Sequence, residues 1–378
     1  MNFDFSEAEK QFHSALESTI AEVMDRKQQK TGDLAHHQNF FRNCQNVLAG
    51  IGYLDLGLRS SANSPGSTLH LMACQERLAA ASPAVYLTVE MSSRMFGRIL
   101  HRWGTQAQKD MLLSALTSGA LLGAVAISEN AMNVTNDPLT TVGIEKDNHI
   151  QLSGIKNYVI NGPVANWIAV VGQLQDRPAV FLVDTHASGI VVHETLSTVG
   201  YEDVAIAGIA LDHCHVPKEM VIVPPEETAL IASLQRWENQ ILIAASLGMM
   251  KAAIDEAKAF ANAHHSGGKP VVAYQEVAFK LAEMLTFYQT SQLLAYRAAW
   301  TSDTDERERD TLTLCTKVFC SESAEKVASQ ALQILSGTGF KKGNKAECAY
   351  RCAKYTQIAG TSTEIARVMI GDEVLGYR

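Results

Sequence analysis

The sequence predicts an α+β protein built in three consecutive parts: helices, then a β-rich region, then a helical bundle. Three observations carry that expectation. Residues 1 to about 120 show helical periodicity broken by serine and glycine stops. About a hundred residues then turn to short segments rich in β-branched and aromatic side chains, bounded by Gly, Asn, Asp and Pro. From about residue 227 helical patterns return, long and broadly apolar on one side, as in helices that pack side by side. The expected boundaries are therefore 1–120, 121–226 and 227–378.

Taken in order, "SEAEKQFHSALESTIAEVMDRKQ" opens on Ser6 with Glu9 three residues later, a relative of the capping box. "STLHLMACQERLAAAS" and "TQAQKDMLLSALTSG" continue the helical pattern. "HIQLSGIKNYVIN", "NWIAVVGQL", "AVFLVDT", "GIVVHET" and "IAGIALDHCHVP" then read as strands. The last part begins with "LIASLQRWENQILIAASLGMMKAAIDEAKAFANAHH", followed by two further helical stretches ending near "QILSG".

Composition limits the function classes. The 378-residue chain is 47% hydrophobic and 19% charged, in the range of globular proteins. A formal net charge of −8 gives no general attraction to nucleic acid or an anionic membrane. The longest apolar runs fall short of the roughly 18 residues needed to span a bilayer. The acidic start "MNFDFSEAEK" is unlike a secretory signal, so a cytoplasmic location is expected. Seven cysteines without a framework fit a reducing compartment. No metal site is expected: Cys348 and Cys352 lack a CxxC companion, and Cys315 and Cys320 are wrongly spaced. In a strand, His213 and His215 face one side and Cys214 the other.

"RWENQILIAASLGMM" raises the functional question. Trp237, Glu238 and Asn239 stand at the mouth of Ile241–Met250, a ten-residue run without charge. Glu238 reads either as a first-turn carboxylate complementing the helix dipole or as a catalytic base.

Five strings, in order along essentially the whole chain, carry a family resemblance: "WGTQAQKDMLLSALTSGALLGAVAISE", "LSGIKNYVINGPVANWIAV", "GGKPVVAYQEVAFKLAEM", "QILSGTGF" and "RCAKYTQIAGTSTEIAR". The chain resembles the acyl-CoA dehydrogenases. That resemblance implies an N-terminal helical domain, a central β-barrel or sandwich and a C-terminal four-helix bundle. It further implies FAD and α,β-dehydrogenation of an acyl thioester held on CoA or a carrier protein. It also implies an electron-transferring flavoprotein as acceptor and a homotetrameric or dimeric assembly. The chemistry would belong largely to the cofactor.

The family's usual base position falls on Gly360, or on Ala359 if the Gly-Thr-Ser is matched, and neither takes a proton. In members of the isovaleryl and long-chain type the base stands on the helix opening the last domain, which matches Glu238. Gly360 would still supply a backbone N–H to the thioester oxygen. On the flavin side the resemblance places Ile127 and Ser128 at the pyrimidine edge, Tyr158 beside the ring and Ile160 at the position of a threonine near N5. His264 stands where an arginine reaches the pyrophosphate, and Gln275, Gln333 and Gly337 fall in cofactor-side signatures. Ser362 and Glu364 fall where the last signature touches FAD. Val134 and Asn239 fall on the substrate side. The lost arginine, threonine and usual base open a rival reading, a non-catalytic partner subunit of a mixed oligomer.

Overall fold

The computed structural model describes residues 3–27, 34–58, 67–130, 137–226, 229–304 and 306–377. The first helix, α1 (Glu7–Lys27), begins with the predicted cap: the Ser6 hydroxyl accepts the Glu9 N–H at 3.3 Å, and the Glu9 carboxylate accepts the Ser6 N–H at 2.7 Å. Next come α2 (Leu34–Gly50) and α3 (Ser67–Ala81). Then α4 (Pro83–Glu90) starts with Ser82 accepting from the Val85 N–H and a proline in its first turn. It runs through a π-helical turn, Met91–Phe96, into α5 (Gly97–Trp103). The short α6 (Gln106–Gln108) and α7 (Ser114–Thr117) flank a second π turn and complete the first group of helices.

The β region comprises β1 (Gly123–Ala126), β2 (Val142–Glu145), β3 (His149–Ile160), β4 (Trp167–Leu174), β5 (Arg177–Asp184), β6 (Ile190–Val192), β7 (Ile206–Pro217) and β8 (Val221–Ile222). They form one eight-stranded sheet in the order β6-β7-β3-β2-β4-β5-β8, with β1 parallel to β4. Among the described residues the path stays open, ending at β6 and β8, of three and two residues. The expected barrel is therefore corrected to an open mixed sheet: strands this short at its margins give no ladder long enough to close it. The alternation expected in β7 is present, with Cys214 buried and His213 and His215 exposed.

The third group opens with α8 (Ala229–Ala263), followed by a small hairpin of β9 (His265–Ser266) and β10 (Lys269–Pro270). Then come α9 (Gln275–Thr304), α10 (Glu306–Leu335), α11 (Lys345–Ile358) and α12 (Thr363–Leu375). Helices α8 to α11 pack on one another as a four-helix bundle, and α12 lies along α10. The uncharged run in α8 has a physical cause: this helix is packed against α3 on one side and α10 and α11 on the other. All of Ile241–Met250 is buried. A side chain on Gly248 would start 2.5 Å from Ala79, so α3 and α8 meet backbone to backbone there. Burying each Leu, Ile or Met side chain of such a run contributes on the order of 1.5–3 kcal/mol. Among the described residues no helix is long and apolar enough to cross a membrane.

Candidate active site

Where the sheet meets the bundle, a cavity of about 650 Å³ opens between the ends of β1 and β3, the 198–201 loop, α8 and the α11–α12 turn. Glu238 is the one carboxylate among the described residues that line it. Helix α8 begins at Ala229, nine residues earlier, so Glu238 is not a first-turn dipole partner. It stands mid-helix and opens on the cavity rather than on bulk water. Burial raises its carboxyl to about 7, against the opposing pull of the Lys317 ammonium and of the nearby Gly360 backbone N–H.

The turn that carries Gly360 is built to reach Glu238. Gly360 has φ +63°, and a Cβ there would fall 2.7 Å from Asn239 Oδ1 and 3.5 Å from Glu238 Cγ. Asn239 clasps the next residue twice: its Oδ1 accepts the Thr361 N–H and its Nδ2 donates to Thr361 Oγ1, both at 3.0 Å. Asn239 is 2% exposed, with both ends of its amide used in this clasp. Asn239, expected on the substrate side, thus supports the turn and is not among the residues that line the cavity. Lys317, fully buried on α10, donates to the Gln357 carbonyl at 3.1 Å and to the Thr361 carbonyl. Burial pulls its ammonium down to about 8, while Glu238 and Glu364 oppose that fall.

The sheet side of the cavity is set by a buried ion pair. Glu129, just past β1, meets Lys156 of β3 at 2.6 Å. It also accepts from the Thr140 N–H and hydroxyl and from the Thr141 N–H. Although burial opposes ionisation, these bonds hold its carboxyl at about 2. Lys156 also donates to the Ile127 carbonyl at 3.0 Å, which pins Ile127 and Ser128 to the cavity wall. Immediately beyond Lys156 the pairing of β3 with β7 slips in register, and Tyr158 adopts φ +55°. That irregularity turns the Tyr158 ring to the cavity, where it is 58% exposed, while Ile160 lies buried behind it.

The structure thus brings Ile127, Ser128, Tyr158, Ile160, Glu238, Gly360 and Ser362 to one cavity. Gln275, Gln333, Gly337 and Glu364 are exposed and do not line it. His264 is also exposed, stacked on Phe260 with ring centres 3.8 Å apart, so it takes no place in this wall. Val134 lies outside the described residues. Trp237 packs on Trp103 at 5.6 Å, away from the cavity lining. Sequence reasoning missed Tyr201, a lining residue whose buried hydroxyl has no hydrogen-bond partner among the described residues. It missed the ion pair as well, although Glu129 directly follows the "AIS" string.

Residues 6–120 match the family described as "Acyl-CoA dehydrogenase, N-terminal domain", and residues 234–375 match "Acyl-CoA dehydrogenase, C-terminal domain". The short-chain specific acyl-CoA dehydrogenase of Sus scrofa mitochondria is 30% identical over 79% of this chain and 73% of its own. The benzylmalonyl-CoA dehydrogenase of Aromatoleum aromaticum is 25% identical over 99% of this chain and 100% of its own. The structure of a glutaryl-coenzyme A dehydrogenase in complex with glutaryl-CoA superposes with a TM-score of 0.90 at 20% identity, covering 100% of this chain and 98% of that one. The chain belongs to the acyl-CoA dehydrogenase family, whose members are flavin oxidoreductases acting on CH–CH bonds.

Proposed function

We propose that this protein binds FAD in the cavity and dehydrogenates an acyl thioester across its α,β bond, with Glu238 as the base. The observation that carries this reading is that the one carboxylate among the described lining residues is raised to about 7, with the Gly360 N–H close by. The lining chemistry suits the cofactor. Ile127, Ile160 and Tyr158 offer apolar surface to a flat ring system. Ser128, which makes no side-chain hydrogen bond among the described residues, and the orphaned Tyr201 hydroxyl offer partners to its polar edge. When bound, FAD supplies the acceptor for the hydride leaving the β-carbon.

The residues then have distinct tasks. Glu238, ionised above about pH 7, takes the α-proton. As it becomes neutral it turns into a weaker acceptor, and the Gly360 N–H is released as negative charge builds on the thioester oxygen. One N–H thereby follows the charge from base to substrate. Asn239 and Lys317 hold the turn that aims it.

A second reading has its own support. The one lysine or arginine among the described lining residues is Lys354, already engaged by Glu325 at 2.8 Å and Gln357 at 3.0 Å. A pocket short of free cations favours weak FAD affinity, as in a non-catalytic subunit paired with an active relative. Self-association is also part of our reading, since Phe340 (95% exposed), Val374 (79%) and Tyr377 (76%) offer apolar contacts on the bundle side. The test is anaerobic titration of the FAD-loaded protein with CoA and carrier-protein thioesters. The enzyme reading expects the flavin to bleach with at least one. Loss of FAD on purification, or a yellow protein that no thioester bleaches, favours the non-catalytic subunit.

A further inference from the structure

A cluster remote from the cavity joins α1 to α3. His13 of α1 is 5% exposed and Cys74 of α3 is fully buried, with the partly buried His70 between them. His13 Nε2 lies 3.2 Å from His70 Nδ1, and Cys74 Sγ lies 3.9 Å from His70 Nε2 and 4.0 Å from His70 Nδ1. One ligating atom from each residue falls within 4.8 Å of the others. We infer that His13, His70 and Cys74 form a binding site for a zinc-class divalent ion that ties the first helix to the third.

The spacing supports this. With metal–nitrogen bonds of about 2.0–2.1 Å and metal–sulfur bonds of about 2.3 Å, a tetrahedral ion sets its ligands about 3.3 Å apart for N···N and about 3.6 Å for N···S. The His13–His70 separation of 3.2 Å already matches the first edge. The sulfur needs to close by about 0.4 Å on His70 Nδ1. The wider edge to His13, within the 4.8 Å span of the cluster, needs up to about 1.2 Å, taken up by rotation at Cys74 and a turn of the His13 ring. His70 and Cys74 are four residues apart on one helix, the spacing by which helical metal motifs present two ligands on one face. Two nitrogens and one thiolate make a borderline-soft set, suited to zinc, cobalt(II) or copper rather than magnesium or calcium. The imidazoles are held neutral and ready to bind. Burial, with Arg77 and the His70 ring adding to it, pushes His13 down to about 4, and burial lowers His70 as well.

Burial also pushes the Cys74 thiol up to about 12. The ion must therefore displace that proton: one metal–sulfur bond forms, one S–H bond breaks, and the proton leaves to solvent. The partly exposed His70 marks the side from which an ion approaches. Glu9, one turn before His13, keeps its carboxylate near both rings, held by the Ser6 N–H and hydroxyl, and leaves the fourth position to water. Arg77 is drawn to Glu17 at 3.0 Å rather than into the cluster. Phe5 and Phe12 pack edge-on against the rings and shield the site from bulk water.

The test is cobalt(II) titration of the full chain after chelator treatment, with whatever flavin it retains left in place. The expected result is one equivalent bound, with the intense ligand-field bands of tetrahedral cobalt in the red, beyond flavin absorption, and their loss when Zn²⁺ is added. Groups standing behind metal ligands change affinity by about 10–100-fold, so Cys74→Ser is expected to lose at least about 100-fold. His70→Gln, at the partly exposed position, is expected to do the same and serves if Cys74→Ser does not fold. Absence of red bands at equimolar cobalt in the wild type overturns the site. So do bands left unchanged by the folded variant. The readout does not involve catalysis, so it stands apart from the proposed function.

Discussion

Glu238→Gln is expected to slow thioester-dependent flavin reduction by about 10²–10⁴-fold, the usual share of a positioned proton acceptor, while leaving bound FAD unchanged. Glutamine has nearly the same shape, and its carbonyl still offers an acceptor to the nearby Gly360 N–H. The clasp of Asn239 on Thr361 and the Lys317 bonds to the turn need nothing from Glu238. The cavity is therefore expected to keep its form and lose only its proton acceptor. Anaerobic stopped-flow reduction, with flavin absorbance per protein as control, measures both quantities. Equal rates in variant and wild type would remove Glu238 from the chemistry.

Glu129→Gln is expected to lower folding stability by on the order of 3 kcal/mol, because it leaves the Lys156 ammonium buried without its counter-charge. The loss falls on the cavity as well, since the same ammonium holds the Ile127 carbonyl. Pairing the change with Lys156→Met removes the stranded charge and is expected to restore most of the stability. Urea unfolding of the two variants checks this, and a fully additive double variant would speak against the pair. The acid limb follows from the depressed carboxyl. Glu129 contributes stability in full above its unfolded value near 4.5 and loses it as pH falls toward about 2.

Periodicity made the order of elements legible. The five strand strings correspond to β3, β4, β5, β6 and β7, and "LIASLQRWENQ" lies in α8. Strand alternation set Cys214 on the face opposite His213 and His215, because a period of two is a local property, and the structure shows that Cys214 has the buried face. Sheet closure was not legible, since it depends on which edges pair across the domain, and the edges here are the short β6 and β8. Within the site, Glu238 stood out because a carboxylate stands at the mouth of an uncharged run and because the usual base position holds a glycine. The clasp of Asn239 was not legible for a tertiary reason: its partner Thr361 is 122 residues away. Glu129 and Lys156, 27 residues apart, and the cluster of His13 with His70, 57 apart, were hidden in the same way. His264 was placed by alignment with a cation position, yet its ring stacks on Phe260 one helical turn earlier.

The most direct measurement is the pH dependence of anaerobic flavin reduction by a bleaching thioester, in wild type and Glu238→Gln. A base raised to about 7 predicts a wild-type rate that climbs through neutral pH to a plateau as the carboxylate ionises. The variant is expected to show a low rate with no such rise. A wild-type profile flat across neutrality, or the same rise in both proteins, would contradict the assignment of proton removal to this side chain.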